Sequence, residues 1–164
     1  NWCGRNVYCL SPCVWGDFAM IGQVVGAFFG TVAFSVLYGV PRQYYAYCGF
    51  VGGAGWCLYL ALTGYTPCTA TEATLFATFL VVFLSRFLAV WERCPATVFL
   101  TTGIFPLVPG AGIYWTAYYL VTDRPAQAAD NGFAAIKAAF AIVLGIVLVF
   151  EVPDRFFRMR RKQG

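Results

Sequence analysis

The chain contains no histidine. That absence removes the Ser-His and Cys-His pairs of nucleophilic catalysis, and with them most zinc sites. Charge is scarce too: Asp, Glu, Lys and Arg make up 11% of 164 residues, against about a quarter in a soluble domain. A surface so poor in charge does not dissolve in water. Seven cysteines are present, at 3, 9, 13, 48, 57, 68 and 94, but no C-x-x-C pair. They read mostly as small hydrophobes, with a disulfide among Cys3, Cys9 and Cys13 open to an N-terminus in an oxidising compartment. No G-x-x-x-x-G-K loop is there to hold nucleotide phosphates. The expectation is a non-enzyme with no catalytic residue, no metal ligand and no cofactor. The net charge of +4 is small and gathered at one end, which suits topology and lipid contact rather than nucleic acid.

What remains is apolar. Hydrophobic residues make up 60% of the chain and the mean hydropathy is +0.70. Five segments stand out, at 18–39, 45–63, 72–91, 97–122 and 131–151, each near the ~20 residues a helix needs to cross the hydrocarbon. Strands are excluded by length and by the lack of period-two alternation. The predicted fold is all-α: a polytopic transmembrane helix bundle of about five membrane segments in a lipid bilayer. The loops "VPRQY", "GYTPCTAT", "RCPA" and "DRPAQAAD" are short, so successive helices are antiparallel neighbours. Residues 1–17 lack the basic and apolar regions of a signal peptide and read as an N-terminal extension of little structure. Residues 18–151 form the transmembrane domain, and 152–164 a basic tail.

Lys and Arg set the orientation. The tail carries Arg155, Arg158, Arg160, Arg161 and Lys162, which predicts a cytoplasmic C-terminus. With five crossings the cytoplasm also receives Arg42 and Arg93, with Arg86 near that face, and the outside only Arg5 and Arg124. A re-entrant fourth segment would move Arg42 and Arg93 outside, against the positive-inside rule. Gly22, Gly26 and Gly30 line one face of the first segment, and Gly49 and Gly53 repeat the spacing in the second. In lipid, close backbone approach through glycine supplies helix contacts. These faces serve packing within the bundle or contact with a second subunit.

The fourth segment, "PATVFLTTGIFPLVPGAGIYWTAYYLV", places poor helix formers inside an apolar run. Proline removes an N–H and clashes with the carbonyl four residues back, so Pro106 is expected to free the carbonyl of Thr102 and Pro109 that of Phe105. Broken backbone at membrane depth is tolerated only within protein or along a watered cavity. The second half-helix would start near Pro109-Gly110, with free N–H groups at Gly110, Ala111 and Gly112. Such a half-helix end suits an anionic group, and unwound carbonyls suit a cation. Thr101, Thr102, Gly103, Pro106, Pro109, Gly110 and Gly112 are therefore the candidate substrate path, fitted to a small zwitterion; a ligand-free structural kink is the other reading. Glu72 and Lys137 are candidates for charge or proton coupling, either by pairing or, for Lys137, by snorkelling to the interface instead.

"PATVFLTTGIFPLVPGAGIY" strongly resembles the signature of the threonine/serine exporter family, in its small, membrane-only, YjjB-like subunit. "GVPRQYYAYCGFVGGAGWCLYL" is similar to that family's other block, a V-P-R turn before a Gly-rich helix. Thr102 and Trp115 stand where the family pattern often has Pro and Arg. The resemblance covers about residues 20–151. It implies a secondary exporter of small amino acids in the bacterial cytoplasmic (inner) membrane, driven by the proton gradient, or in some members an exporter of dicarboxylates such as succinate. It also implies a larger partner subunit with membrane segments and a cytoplasmic domain, making this chain one half of a two-component system. An assembly subunit with no substrate site, or a passive channel, are the rival functions.

Overall fold

The computed structural model describes residues 17–66 and 69–152. Residues 1–16 of the N-terminal extension, with the three cysteines at 3, 9 and 13, and residues 153–164 of the basic tail lie outside them. Six α-helices follow in order: α1 Asp17–Leu37, α2 Tyr45–Tyr65, α3 Ala70–Glu92, α4 Ala96–Gly103, α5 Gly110–Val121 and α6 Pro125–Phe150. One 3-10 turn, Arg42–Tyr44, leads into α2, and a second, Phe105–Leu107, follows α4. No strand occurs among the described residues. α1, α2, α3 and α6 are each long and apolar enough to cross a membrane, and α4 with α5 forms a fifth such unit, bent by 46°. The chain is a multi-pass, all-α membrane bundle.

Local chemistry sets the helix boundaries. α1 ends where Gly39 takes φ +66° and the N–H of Val40 returns to the carbonyl of Ser35 (3.0 Å), a left-handed stop that glycine accepts without a Cβ clash. α3 opens on a capping box: Glu72 N–H donates to the Thr69 hydroxyl, and Thr69 N–H donates to the Glu72 carboxylate at 2.9 Å. It closes at Arg93 in the left-handed region, ahead of Pro95.

The fifth span departs from the sequence expectation. "DRPAQAAD" is not a loop; α6 starts at Pro125, within it. Proline fits the first position of a helix, where its missing N–H has no intrahelical use, and the alanines after it favour helix. The turn is only Thr122–Arg124, with Asp123 at φ 55° and Arg124 N–H closing on the carbonyl of Tyr119 (2.9 Å). Ala128, expected in an outer loop, is instead buried at 2% exposure within α6.

The helices pack as a row, α1–α2–α3–α6–α5, with α4 and the second 3-10 turn laid over α1, α2 and α3. Small residues set the approach. A side chain on Gly52 would strike Thr31 of α1, and one on Gly103 would meet Val51 of α2 at 2.6 Å. Gly49 and Gly53 lie under Phe28 of α1, so they serve packing within the bundle. A side chain on Gly22, Gly26 or Gly30 would meet nothing within 4 Å: that face of α1 points away from the bundle.

Buried hydroxyls are satisfied at home. Thr31, Ser35, Thr74, Thr78, Ser85 and Thr102 are buried, and each donates to a carbonyl four residues back on its own helix. A polar group in hydrocarbon needs a partner; here the helix itself supplies it, and the residue packs as a small apolar one.

Side-chain levels fix the direction of the last span. Thr78 of α3 lies against Gly145 of α6, and eight residues further along α3 the Arg86 guanidinium reaches the Val149 carbonyl (2.6 Å). Both helices advance together, so α3 and α6 are parallel. The segment between them must then return the chain from one end of the bundle to the other, which is the five-crossing arrangement and not a re-entrant loop.

Candidate functional site

The break in the fourth span is built in steps. α4 climbs antiparallel to α3: Phe99 packs with Cys48 and Ala89, Gly103 lies against Val51 and Val81, and Leu107 joins Val51, Ala77 and Val81. Val81 is midway along α3, so the break falls at mid-bundle depth. Phe105 stacks on Phe34 of α1 with ring centroids 3.9 Å apart. Beyond Pro109 the chain leaves α2 and α3 and packs on α6, where Gly132 lies against Thr116. The Pro and Gly residues therefore let one span change neighbours halfway across.

The backbone at the break is more satisfied than the sequence suggests. Leu107 N–H bonds to the Ile104 carbonyl (3.0 Å) and Val108 N–H to that of Phe105 (3.2 Å). The carbonyl that Pro109 was expected to free is thus taken up by a 3-10 turn. Gly110 N–H closes on the Val108 carbonyl at 2.7 Å, around Pro109 at φ −75° and ψ 53°, the geometry of an inverse γ-turn. Of the three N–H groups expected to be free, those of Ala111 and Gly112 remain in the uncapped first turn of α5, where a helix has no acceptor of its own.

The sequence candidates do not all converge. Thr102 is buried with its hydroxyl on Val98 (3.1 Å), and Thr101 is exposed with its hydroxyl on Thr97 (2.7 Å). Gly103 and Gly112 are buried, Pro106 and Pro109 half-buried, and Gly110 exposed. A side chain on Gly110 would meet nothing within 4 Å, so the start of α5 is open to approach. Glu72 is held in the α3 cap, and no ion pair joins it to Lys137, which is exposed on α6. No group of three or more His, Cys, Asp or Glu that could hold a metal occurs among the described residues.

Arg86 is placed by the sequence only near the cytoplasmic face, and its partners are not legible there. It donates to the carbonyls of Val149 (2.6 Å) and Val152 (3.0 Å) and lies 5.3 Å from the Phe150 ring centroid. The orphan carbonyls of a helix C-terminus carry partial negative charge, so a guanidinium there is favourable. The signal in the sequence was only an arginine six residues, nearly two turns, short of the end of a span.

A family model described as Threonine/Serine exporter, ThrE, matches residues 23–152. No curated protein and no solved structure matches the chain.

Proposed function

The chain belongs to the threonine/serine exporter family, and we propose that it is the small membrane-only subunit of a secondary exporter for threonine and serine, with the broken span as part of the substrate path. The observation that carries this reading is the open start of α5: two uncapped N–H groups, at Ala111 and Gly112, beside a glycine with free space around it, at mid-bundle depth. The positive end of a half-helix favours a carboxylate. A small amino acid brings one, and Gly110 leaves room for it to come within hydrogen-bonding distance of backbone.

Proton coupling belongs to the same proposal, with Glu72 and Lys137 as this chain's candidates. So does the larger partner subunit, supported by two exposed surfaces: the Gly22–Gly26–Gly30 face of α1, and α5, where Ile113, Tyr114 and Leu120 are 58%, 62% and 62% exposed. The location read with it is the bacterial inner membrane, N-terminus out and C-terminus cytoplasmic. An assembly role, with the partner holding the whole path, draws on the hydroxyls of Thr101 and Thr102 being turned back onto their own helix.

Reconstitution with the larger subunit tests the two readings. Gly110→Leu should abolish export of labelled threonine and serine at unchanged protein level, because its side chain enters open space and leaves packing alone. Normal export by that variant would leave the break as a change of helix neighbour and favour the assembly role. Labelled succinate in the same vesicles tests the dicarboxylate alternative.

A further inference from the structure

The α5–α6 hairpin is attached to the rest of the chain in two places. The first is the covalent joint after Leu107. Val108 N–H bonds back to the Phe105 carbonyl, inside the 3-10 turn, and Ile113 N–H bonds to that of Pro109, at the start of α5. Between these two sets lies the γ-turn that Gly110 N–H closes on Val108. A continuous ladder of backbone bonds stiffens a helix. Here the ladder stops, and the two pieces meet at 46°. A side chain on Gly110 would meet nothing within 4 Å, so rotation at this residue strikes no neighbour.

The second attachment is the face between α3 and α6. α5 packs on α6 and on no other helix to a comparable extent, while α6 packs on α5 and α3. α3 holds the second half of α6, with Thr78 against Gly145 and Arg86 on Val149. Thr78 donates its hydroxyl to the Thr74 carbonyl of its own helix (2.8 Å), so it offers α6 contact and no bond. Arg86 clamps the C-terminal end of α6 through Val149 and Val152. The hairpin is pinned at one end.

α4 is held differently. Phe99 is fully buried, Leu107 packs among Val51, Ala77 and Val81, and Phe105 stacks on Phe34. These side chains interlock α4 and its 3-10 turn with α1, α2 and α3. In α5 the buried residue is Gly112, and Ile113, Tyr114, Leu120 and Val121 are exposed. Lipid tails are as apolar as those side chains, so moving them within the bilayer carries little hydrophobic penalty.

We infer that the chain is two bodies, α1–α4 and the α5–α6 hairpin, hinged at Val108–Gly110 and pivoting on the Arg86 clamp, and that the hairpin is the moving gate of the substrate path. Hinges are a few residues at the ends of elements that absorb a change of backbone angle. Swinging here carries the uncapped N–H groups of Ala111 and Gly112 relative to α1–α3. The inference rests on the substrate-path reading above and adds which part of the chain moves.

Spin labels on keto-bearing unnatural residues test the division in the reconstituted pair of subunits. Distances from Tyr65 on α2 to Ala126 on α6, across the joint, should be broad or two-peaked. Those from Leu37 to Tyr65, inside α1–α4, should be single and narrow. Paired cysteines then test the gate at three places where a threonine lies against a glycine of a neighbouring helix. Oxidising Thr78→Cys with Gly145→Cys bridges the two bodies. It should abolish export of labelled threonine and serine and narrow the Tyr65–Ala126 distances, and reductant should undo both. Bridges at Thr31→Cys with Gly52→Cys, or Thr116→Cys with Gly132→Cys, stay inside one body and should leave export as in the reduced form. A single narrow Tyr65–Ala126 distance without any bridge would overturn the two-body division. Normal export through the bridged Thr78→Cys/Gly145→Cys chain would overturn the gate and leave the substrate-path reading to Gly110→Leu. No export from the unbridged pair would remove the exporter reading and the gate together, with the division still read from the distances.

Discussion

The guanidinium of Arg86, in α3, donates to the backbone carbonyl of Val149, in α6, across 2.6 Å. This one contact joins two helices at the same end of the bundle. It also fills the negative end of α6 with a positive charge, where water would otherwise have to reach.

Removing that charge should loosen the bundle at this end. Arg86→Met removes the guanidinium from the carbonyls of Val149 and Val152, leaving Val149 its backbone bond from the Val152 N–H. Hydrogen bonds from a charged group are each worth about 1.5–3 kcal/mol, so a stability loss of about 2 kcal/mol is expected in an SDS unfolding titration. Arg86→Lys, with a point charge instead of a planar fork, should fall between. Wild-type stability in Arg86→Met would show that the contact contributes nothing net.

The glycines of α1 and α2 should separate by role. Gly52→Val pushes a side chain into Thr31, and overpacking of this kind costs about 1–3 kcal/mol. Gly26→Val projects into open space and should leave thermal stability of the purified chain near wild type. Equal losses for the two variants would mean that Gly26 packs inside the bundle after all.

Ala128 tests the early start of α6. It is 2% exposed and lies in a helix that packs on α5. Ala128→Leu should destabilise by about 1–3 kcal/mol through overpacking, whereas Ala126→Leu, at an exposed position, should not. A neutral Ala128→Leu would restore the loop that the sequence suggests.

Parallel α3 and α6 fix relative sidedness. Cysteine placed at Asp123 should react with an impermeant maleimide in intact cells, while cysteines at Arg93 and Glu151 should react only after permeabilisation. Asp123 and Arg93 labelling from the same side would rule out the five-crossing arrangement.

The thiol of Cys94 sits in the turn between α3 and α4. Burial pushes its pKa up, and the Glu92 carboxylate and Cys48 add to the rise. A raised pKa leaves less thiolate at neutral pH, and the thiolate is the reactive form. A variant retaining Cys94 alone should alkylate more slowly at pH 7 than a free thiol and accelerate as pH rises. Glu92→Gln should move that acceleration to lower pH; no movement would discount the carboxylate.

The sequence by itself determined where the chain crosses the membrane. The apolar runs near 18–39, 45–63, 72–91 and 97–122 meet α1, α2, α3 and the α4–α5 pair within a few residues, because transfer into hydrocarbon is summed residue by residue along the chain. The break was legible too, since Pro106, Pro109 and Gly110 act on their own backbone. Only the tertiary structure decided what each helix face meets. In water, an apolar stripe on a polar helix marks the buried side. In lipid, both sides are apolar, so Gly22–Gly26–Gly30 and Gly49–Gly53 read alike, yet one stripe points outward and the other lies beneath Phe28. The outward ammonium of Lys137, the grip of Arg86 on Val149 and the change of partner at Pro109 likewise depend on residues far apart in the chain, which no local pattern brings together.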